Sequence, residues 1–354
     1  MGRNIAIIGA GMAGLAAARA LTQAGHSITL YEKSRGVGGR VATRRVEGCI
    51  FDHGAQNIKP QNSPLETVML HELPTEDLVT IVPPVRLYSD NGTLWPTDPD
   101  RNAETKYSYR NGMTTLPKLL LASLPSELAQ IRYDTRITRL EESGNEVILS
   151  DEHGQEAGRA DVVIVTAPAP QAADLLGDSA PKMRSTWETL DRVRALRQVE
   201  YHRNITILLG YAAPAPPPPA YALLADDRAN DLLWLAFEQT KSPERAPNGE
   251  ALLIAQMGPK FSTFFYDAEE SLLVWRVVDS LKTLFGETYA TPLWNQVKRW
   301  KYSQPYGKVH FEEVNFAGMA SSVIVCGDAL RPEGGRVPQA YSSGLEAAAL
   351  AQEI

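Results

Sequence analysis

The chain has 354 residues, 44% of them apolar and 22% charged, with a net charge of −7. That is enough chain for a large core in one large or two interleaved domains. The acidic balance and the lack of any basic run exclude a nucleic-acid partner. Two cysteines, Cys49 and Cys326, have neither metal-ligand nor redox-pair spacing, so a reducing compartment with no disulfide framework and no metal is expected. No apolar run approaches the roughly 20 residues that span a bilayer, and the first strand begins too early to leave room for a signal peptide. Ala6 stands where a myristoylation motif wants Ser or Thr. The expectation is a cytoplasmic enzyme with no membrane partner.

Residues 5–32 organise the rest of the chain. Ile5-Ala6-Ile7-Ile8 reads as a strand buried on both faces, and Gly9-Ala10-Gly11-Met12-Ala13-Gly14 then opens an alanine-rich helix stopped by Gly25. A second strand, Ser27-Ile28-Thr29-Leu30-Tyr31, ends at Glu32, about 20 residues beyond the glycine turn. In a dinucleotide site Gly9 permits the tight turn, Gly11 lets backbone approach a pyrophosphate, and Gly14 brings helix and strand together. The helix N-terminus offers N–H groups to phosphate, and Glu32 accepts from a ribose.

Lys33-Ser34-Arg35-Gly36-Val37-Gly38-Gly39-Arg40 is a second glycine cluster, suited to the far side of a pyrophosphate. Phe51-Asp52-His53-Gly54-Ala55-Gln56 comes next as an apolar, acidic and small-residue segment. A capping box at Ser63-Pro64-Leu65-Glu66 predicts a helix to about Leu73. Residues 79–95 read as strands with a hairpin turn at Asn91-Gly92, residues 98–106 as a loop, and 107–109 as extended chain. A helix starts near Leu116-Pro117. Residues 131–140 and 146–150 read as strands joined at Ser143-Gly144-Asn145, and 161–167 as a buried parallel strand with no second GxGxxG behind it.

A helix is predicted around 183–196, with strands at 201–211, 232–237 and 251–257. The proline-rich residues 212–219 read as a stiff extended connection. A capping box at Asp267-Ala268-Glu269-Glu270 predicts a helix to Phe285, and residues 297–305 form a strand carrying Trp300 and Tyr302. Near the end, Val323-Ile324-Val325-Cys326-Gly327-Asp328 is a buried strand with a Gly-Asp terminus. The loop 331–337 leads into an alanine-rich helix from about Pro338.

The R-x-x-G-G-R cluster ending at Arg40, the D-x-G-A segment at Asp52, the R-W-x-x-x-x-P strand at Arg299 and the terminal Gly-Asp resemble the monoamine-oxidase superfamily of FAD enzymes. The resemblance implies an α/β fold: a Rossmann-type FAD-binding domain from residues 1–60, 111–180 and 318–354, and an inserted α+β substrate domain from 61–110 and 181–317. It implies FAD held by Gly9, Gly11, Met12, Ala13, Gly14, Glu32, Lys33, Gly39, Arg40, Gly54, Ala55, Gln56, Ile137, Asp328 and Val337. The superfamily's flavin-linking cysteine motif is missing, which implies non-covalent binding.

Within the superfamily, K-S-R-G-x-G-G-R, D-x-G-A-Q, T-A-P-A-P-Q and V-C-G-D are similar to the renalase-like members. They imply oxidation of a small dihydronicotinamide isomer, with oxygen as acceptor. The proline run and the loop 331–336 have no counterpart there. Hydride transfer needs an oriented apolar slot and no obligatory acid or base. Gln56, Trp300, Tyr302 and Tyr341 are the residues expected at the reacting ring, with Tyr109 and Trp234 as further wall candidates. The alternatives are a flavin amine oxidase and a non-enzymatic binding module on the same fold. The oligomeric state is not readable.

Overall fold

The computed structural model describes residues 2–213, 216–307, 309–331 and 334–354. Pro214 and Ala215 of the proline run and Pro332 and Glu333 of the final loop lie outside the described residues.

Five strands form one parallel sheet in the order Val323–Val325, Val162–Val165, Asn4–Ile8, Ser27–Tyr31, Ala129–Arg132. Each central strand is β-branched and buried on both faces, as a sheet covered by helices requires. The register brings the ends together: Ile8 lies opposite both Tyr31 and Val165, and Val165 opposite Val325. The chain therefore leaves four neighbouring strands at Gly9, Glu32, Thr166 and Cys326, along one edge. In open α/β sheets that edge is where ligands bind.

The first helix, Met12–Gln23, packs between this sheet and the final helix, Val337–Glu353. Two glycines set the spacing. A Cβ on Gly14 would come within 2.0 Å of the Gly9 carbonyl oxygen, and one on Gly344 within 2.1 Å of the Ala13 carbonyl oxygen. Gly25 ends the first helix at φ 83°, where an L side chain is strained.

The second large sheet has seven strands, in the order Trp294–Tyr306, Glu200–Tyr211, Ala251–Met257, Leu232–Phe237, Ala222–Ala225, Val85–Tyr88, Leu94–Pro96. All pairings are antiparallel except Ala222–Ala225 with Val85–Tyr88. One face packs on the helix Glu270–Phe285 through Leu273, Val277 and Leu281. The opposite face meets Phe51 of the short strand Cys49–Asp52 and so turns toward the parallel sheet. The fold is thus a Rossmann-type α/β unit joined to a mixed-sheet α+β unit.

Several local expectations need correction. The helix after Ser63 runs to Glu72 as expected, α-helical over Pro64–Thr67 and π-helical over Val68–Glu72, but without its cap. Ser63 donates its hydroxyl to the Pro60 carbonyl and caps nothing. Glu269 likewise gives the helix Glu270–Phe285 no side-chain cap. Residues 98–106 contain a short helix, Pro99–Ala103, whose Asp98 side chain accepts from the Asp100 amide at 3.0 Å. The helix expected from 183 starts at Thr186, because Ser185 is its cap. The strand read as 131–140 is two: Ala129–Arg132 closes the parallel sheet, and Ile137–Ser143 begins an antiparallel three-stranded sheet with Glu146–Asp151 and Glu156–Ala160. Asp134, at φ 50°, makes the turn between them.

Candidate active site

At the strand-end edge the two glycine clusters touch. The Gly38 amide donates to the Ala10 carbonyl at 2.9 Å, and the Cα of Gly11 lies 3.7 Å from where a Gly39 Cβ would stand. A Cβ on Gly11 would meet nothing within 4 Å, so this glycine is dispensable to packing and leaves a cradle open at the helix N-terminus. The first amides of a helix have no internal acceptor and carry the positive end of its dipole. Glu32, 7% exposed, accepts from the amides of Ala10 and Ser34, each at 2.9 Å, and so braces the turn. Lys33 reaches Gln171 at 3.0 Å. Arg40 and Asp328 form a two-pronged pair at 2.8 and 2.6 Å, and Arg40 also donates to the Ser303 carbonyl at 3.0 Å. The pair ties the second glycine cluster to the Gly-Asp end of the last parallel strand. A dinucleotide's phosphates fit this cradle by its chemistry: bare backbone, free amides, a positive dipole and a guanidinium beside it.

The segment 52–56 joins the two sheets. Asp52 is fully buried, accepting from the Met113 amide and the Thr43 hydroxyl at 2.8 Å each. It also pairs with Lys241 at 3.1 Å and Arg245 at 2.6 Å. Glu238 bonds the same two cations, and all four side chains have no exposed surface. The neighbouring cations hold the Asp52 pKa down at about 2 despite burial, which opposes them. Burial pushes Glu238 up, against the pull of Lys241 and Arg245. This neutral cluster anchors residues 52–56 to the loop 238–245.

In front of it lies a flat wall. His53 stacks on Trp300 with ring centres 5.4 Å apart and planes 20° apart, and Trp300 Nε1 donates to the His53 carbonyl at 2.9 Å. Burial, then Lys298 and Arg44, lower the His53 pKa to about 4, so the imidazole is neutral near pH 7. Its Nδ1 is buried without a partner, as are Gln56 Oε1, Gln296 Oε1 and Trp234 Nε1. Such atoms are destabilising by about 1–3 kcal/mol each unless water or a ligand bonds them. Lys298, Thr206, Gln256 and Trp234 lie directly opposite one another across four strands. Gln256 Nε2 donates to the Gly54 carbonyl at 3.2 Å, so this row faces residues 53–56.

The structure therefore gathers Gln56, Gly54, Ala55, Trp300 and Trp234 on one front, and Gly9, Gly11, Gly14, Glu32, Gly39, Arg40 and Asp328 on the adjoining edge. Met12 and Ala13 are buried in the first turn of the helix. Val337 opens the final helix, and Ile137 packs with Tyr31 near the end of the second strand. Tyr302 lies edge-on to Tyr201 at 5.5 Å, on the Arg40 side.

Tyr341 does not join the wall. It is 1% exposed in the core with Met12, Leu15 and Met69. Its place in the second turn of the final helix turns it onto the first helix. Tyr109 is also core, its carbonyl accepting from Arg245 at 2.6 Å. Sequence reasoning missed Lys298, Gln296, Thr206 and Gln256. Lys298 and Gln296 alternate with Trp300 on one strand, and Gln256 is the single polar residue of Ala251–Met257, so period-2 reading could have found them. Nothing in the polar run 238–245 signals its buried charges.

Residues 86–351 match the family described as flavin containing amine oxidoreductase, and residues 7–73 match the NAD(P)-binding Rossmann-like domain. The chain belongs to the flavin-containing amine oxidoreductase family, and its cofactor is a flavin. Among curated relatives, "Putative flavin-containing monoamine oxidase AofH" of Mycobacterium tuberculosis is 33% identical over 138 residues, 38% of this chain and 26% of that protein. The match thus spans about a quarter of AofH. A crystal structure described as "Putative protoporphyrinogen oxidase", from Exiguobacterium sp. 255-15, superposes with TM-score 0.78 at 17% identity, over the whole of both chains. Cyclohexylamine oxidase from Brevibacterium oxydans IH-35A superposes with TM-score 0.76 at 14% identity, over 100% of this chain and 99% of that one. These likenesses establish a shared fold. Among the described residues no helix is long and apolar enough to cross a membrane.

Proposed function

We propose that the chain is a renalase-like oxidase that binds FAD non-covalently and oxidises a small dihydronicotinamide-type substrate, with oxygen as acceptor. FAD would be held by residues of 1–60, 111–180 and 318–354, with 61–110 and 181–317 forming the substrate domain against them. When bound, FAD supplies the two-electron acceptor that this reaction needs. The supporting observation is the Trp300–His53 stack facing residues 54–56, a flat wall with unpartnered polar atoms at its margin.

The chain's own residues have positioning work. Trp300, fixed by its bond to the His53 carbonyl and its stack on His53, bounds the slot in which a flat ring is oriented. Gln56, whose Nε2 is held by the Asp52 and Gly54 carbonyls, aims Oε1 at an incoming N–H such as a carboxamide. His53, neutral at pH 7, adds no charge to the ring's surroundings. Close orientation of this kind is worth several kcal/mol without any proton transfer.

The family match and the fold shared with cyclohexylamine oxidase favour a second reading, oxidation of an amine. Anaerobic mixing of the holoprotein with β-NADH, its 2- and 6-dihydro isomers and a panel of amines separates the two. Bleaching of the flavin band by the isomers is the expected result. Rapid bleaching by common amines, with the isomers inert, replaces the first reading by the second.

A further inference from the structure

The cations nearest His53 have no acid to answer them. Lys298 Nζ lies 5.0 Å from the centre of the Trp300 ring, and Lys298 and Arg44 are the positive groups felt at the His53 imidazole. Among the described residues neither forms an ion pair, whereas the neighbouring Arg299 bonds Glu270 at 3.0 Å. The acid closest to His53 in sequence, Asp52, is already matched by Lys241 and Arg245.

Strand alternation decides where Lys298 sits. Val297 packs on the outer, helix-covered face, and Arg299 donates to the carbonyls of Tyr266 and Ala268 at 2.7 Å each. Lys298 shares the inner face with Trp300, opposite the fully buried Thr206. A half-buried cation acts through a lower dielectric than bulk water, so it attracts an anion and repels an ammonium more strongly than a surface lysine does. Arg44, exposed on the strand Thr43–Val46 and paired in register with Phe51, adds a second positive charge close to His53 although the whole chain is acidic.

We infer that the substrate carries an anionic group, a phosphate or a carboxylate, that Lys298 binds with help from Arg44 while the flat part of the same molecule lies beside the Trp300–His53 stack. The inference rests on reading this wall as the oxidase's substrate site, and it specifies the substrate's charge. Simple alkylamines are then disfavoured by the same field that favours the anion.

The test is titration of the oxidised holoprotein with four flat probes, benzoate, phenyl phosphate, benzylamine and neutral benzamide, read by perturbation of the flavin absorbance. At least one anion should bind about tenfold more tightly than benzylamine, and which anion is tighter tells carboxylate from phosphate. Lys298→Met should weaken that anion about tenfold and leave benzamide within about twofold, Lys298→Arg should restore most of the affinity, and Arg44→Gln should cost about threefold. Should Lys298→Met lose its flavin, the wild-type salt dependence still decides: raising salt from about 0.05 to 0.5 M should weaken the anion and not benzamide.

Equal or tighter benzylamine binding overturns the inference. So does an anion affinity indifferent to Lys298→Met or to salt, or the lack of saturable binding by both anions. Failure of the oxidase reading shows elsewhere, as a flavin that no dihydronicotinamide isomer bleaches while these titrations still report the charge preference.

Discussion

The parallel sheet offers backbone to the site, and the antiparallel sheet offers side chains. At the first, Gly11, Gly38 and Gly39 bring bare chain to a helix N-terminus, and the ionic groups Glu32, Arg40 and Asp328 brace the turns. At the second, Lys298, Thr206, Gln256, Trp234 and Trp300 project from paired strands toward residues 53–56. Backbone recognition depends on local geometry that a few glycines impose, and it tolerates little variation. Side-chain recognition can change with every substitution on one sheet face, so substrate choice can drift while the cofactor site stays put.

The joint between the regions gives the largest expected effect. Arg245→Met leaves Asp52 and Glu238 buried with only Lys241 to balance them, and should lower unfolding stability by about 3–5 kcal/mol. A change below about 1 kcal/mol in urea denaturation would show that the cluster does not hold the sheets together. Gly11→Val probes the backbone side alone. Its Cβ enters open space, so circular dichroism and melting of the apoprotein should be little changed, yet the side chain fills the phosphate cradle and the protein should purify colourless. A yellow Gly11→Val protein would place the dinucleotide elsewhere.

On the side-chain side, Trp300→Ala should slow flavin reduction about tenfold, roughly 1.4 kcal/mol of barrier, while leaving flavin content unchanged. Loss of flavin with unaltered reduction in the remainder would assign Trp300 to the cofactor instead.

The most gradual effect is a slope. The pKa of His53 falls from 6.5 to about 4 on folding, so between those values the unfolded chain binds the extra proton. Stability should therefore fall as pH drops from 6.5 toward 4, by about 1 kcal/mol per pH unit, and the slope should flatten below that. His53→Phe should remove this part of the slope, and an unchanged pH profile would show that the imidazole is not buried neutral.

Much of this was legible along the chain because it is local. A strand, a glycine turn, a helix and a second strand ending in Glu32 lie within residues 5–32, so their residue pattern is read in one short stretch. The same holds for Gly327-Asp328 after its apolar strand and for the hairpin at Asn91-Gly92, where the Gly92 amide donates to the Ser89 carbonyl at 3.0 Å. The α/β class comes from these pieces. Tertiary structure alone decided what touches what. Tyr341 could equally have faced the ring or the core, and the packing of Gly344 against Ala13 turned it onto the first helix. The partners of Asp52 lie almost 200 residues away, in a run that reads as solvated loop. Lys298 gains its meaning only from the strands beside it, since register sets which face a residue shares, and register is a property of the sheet.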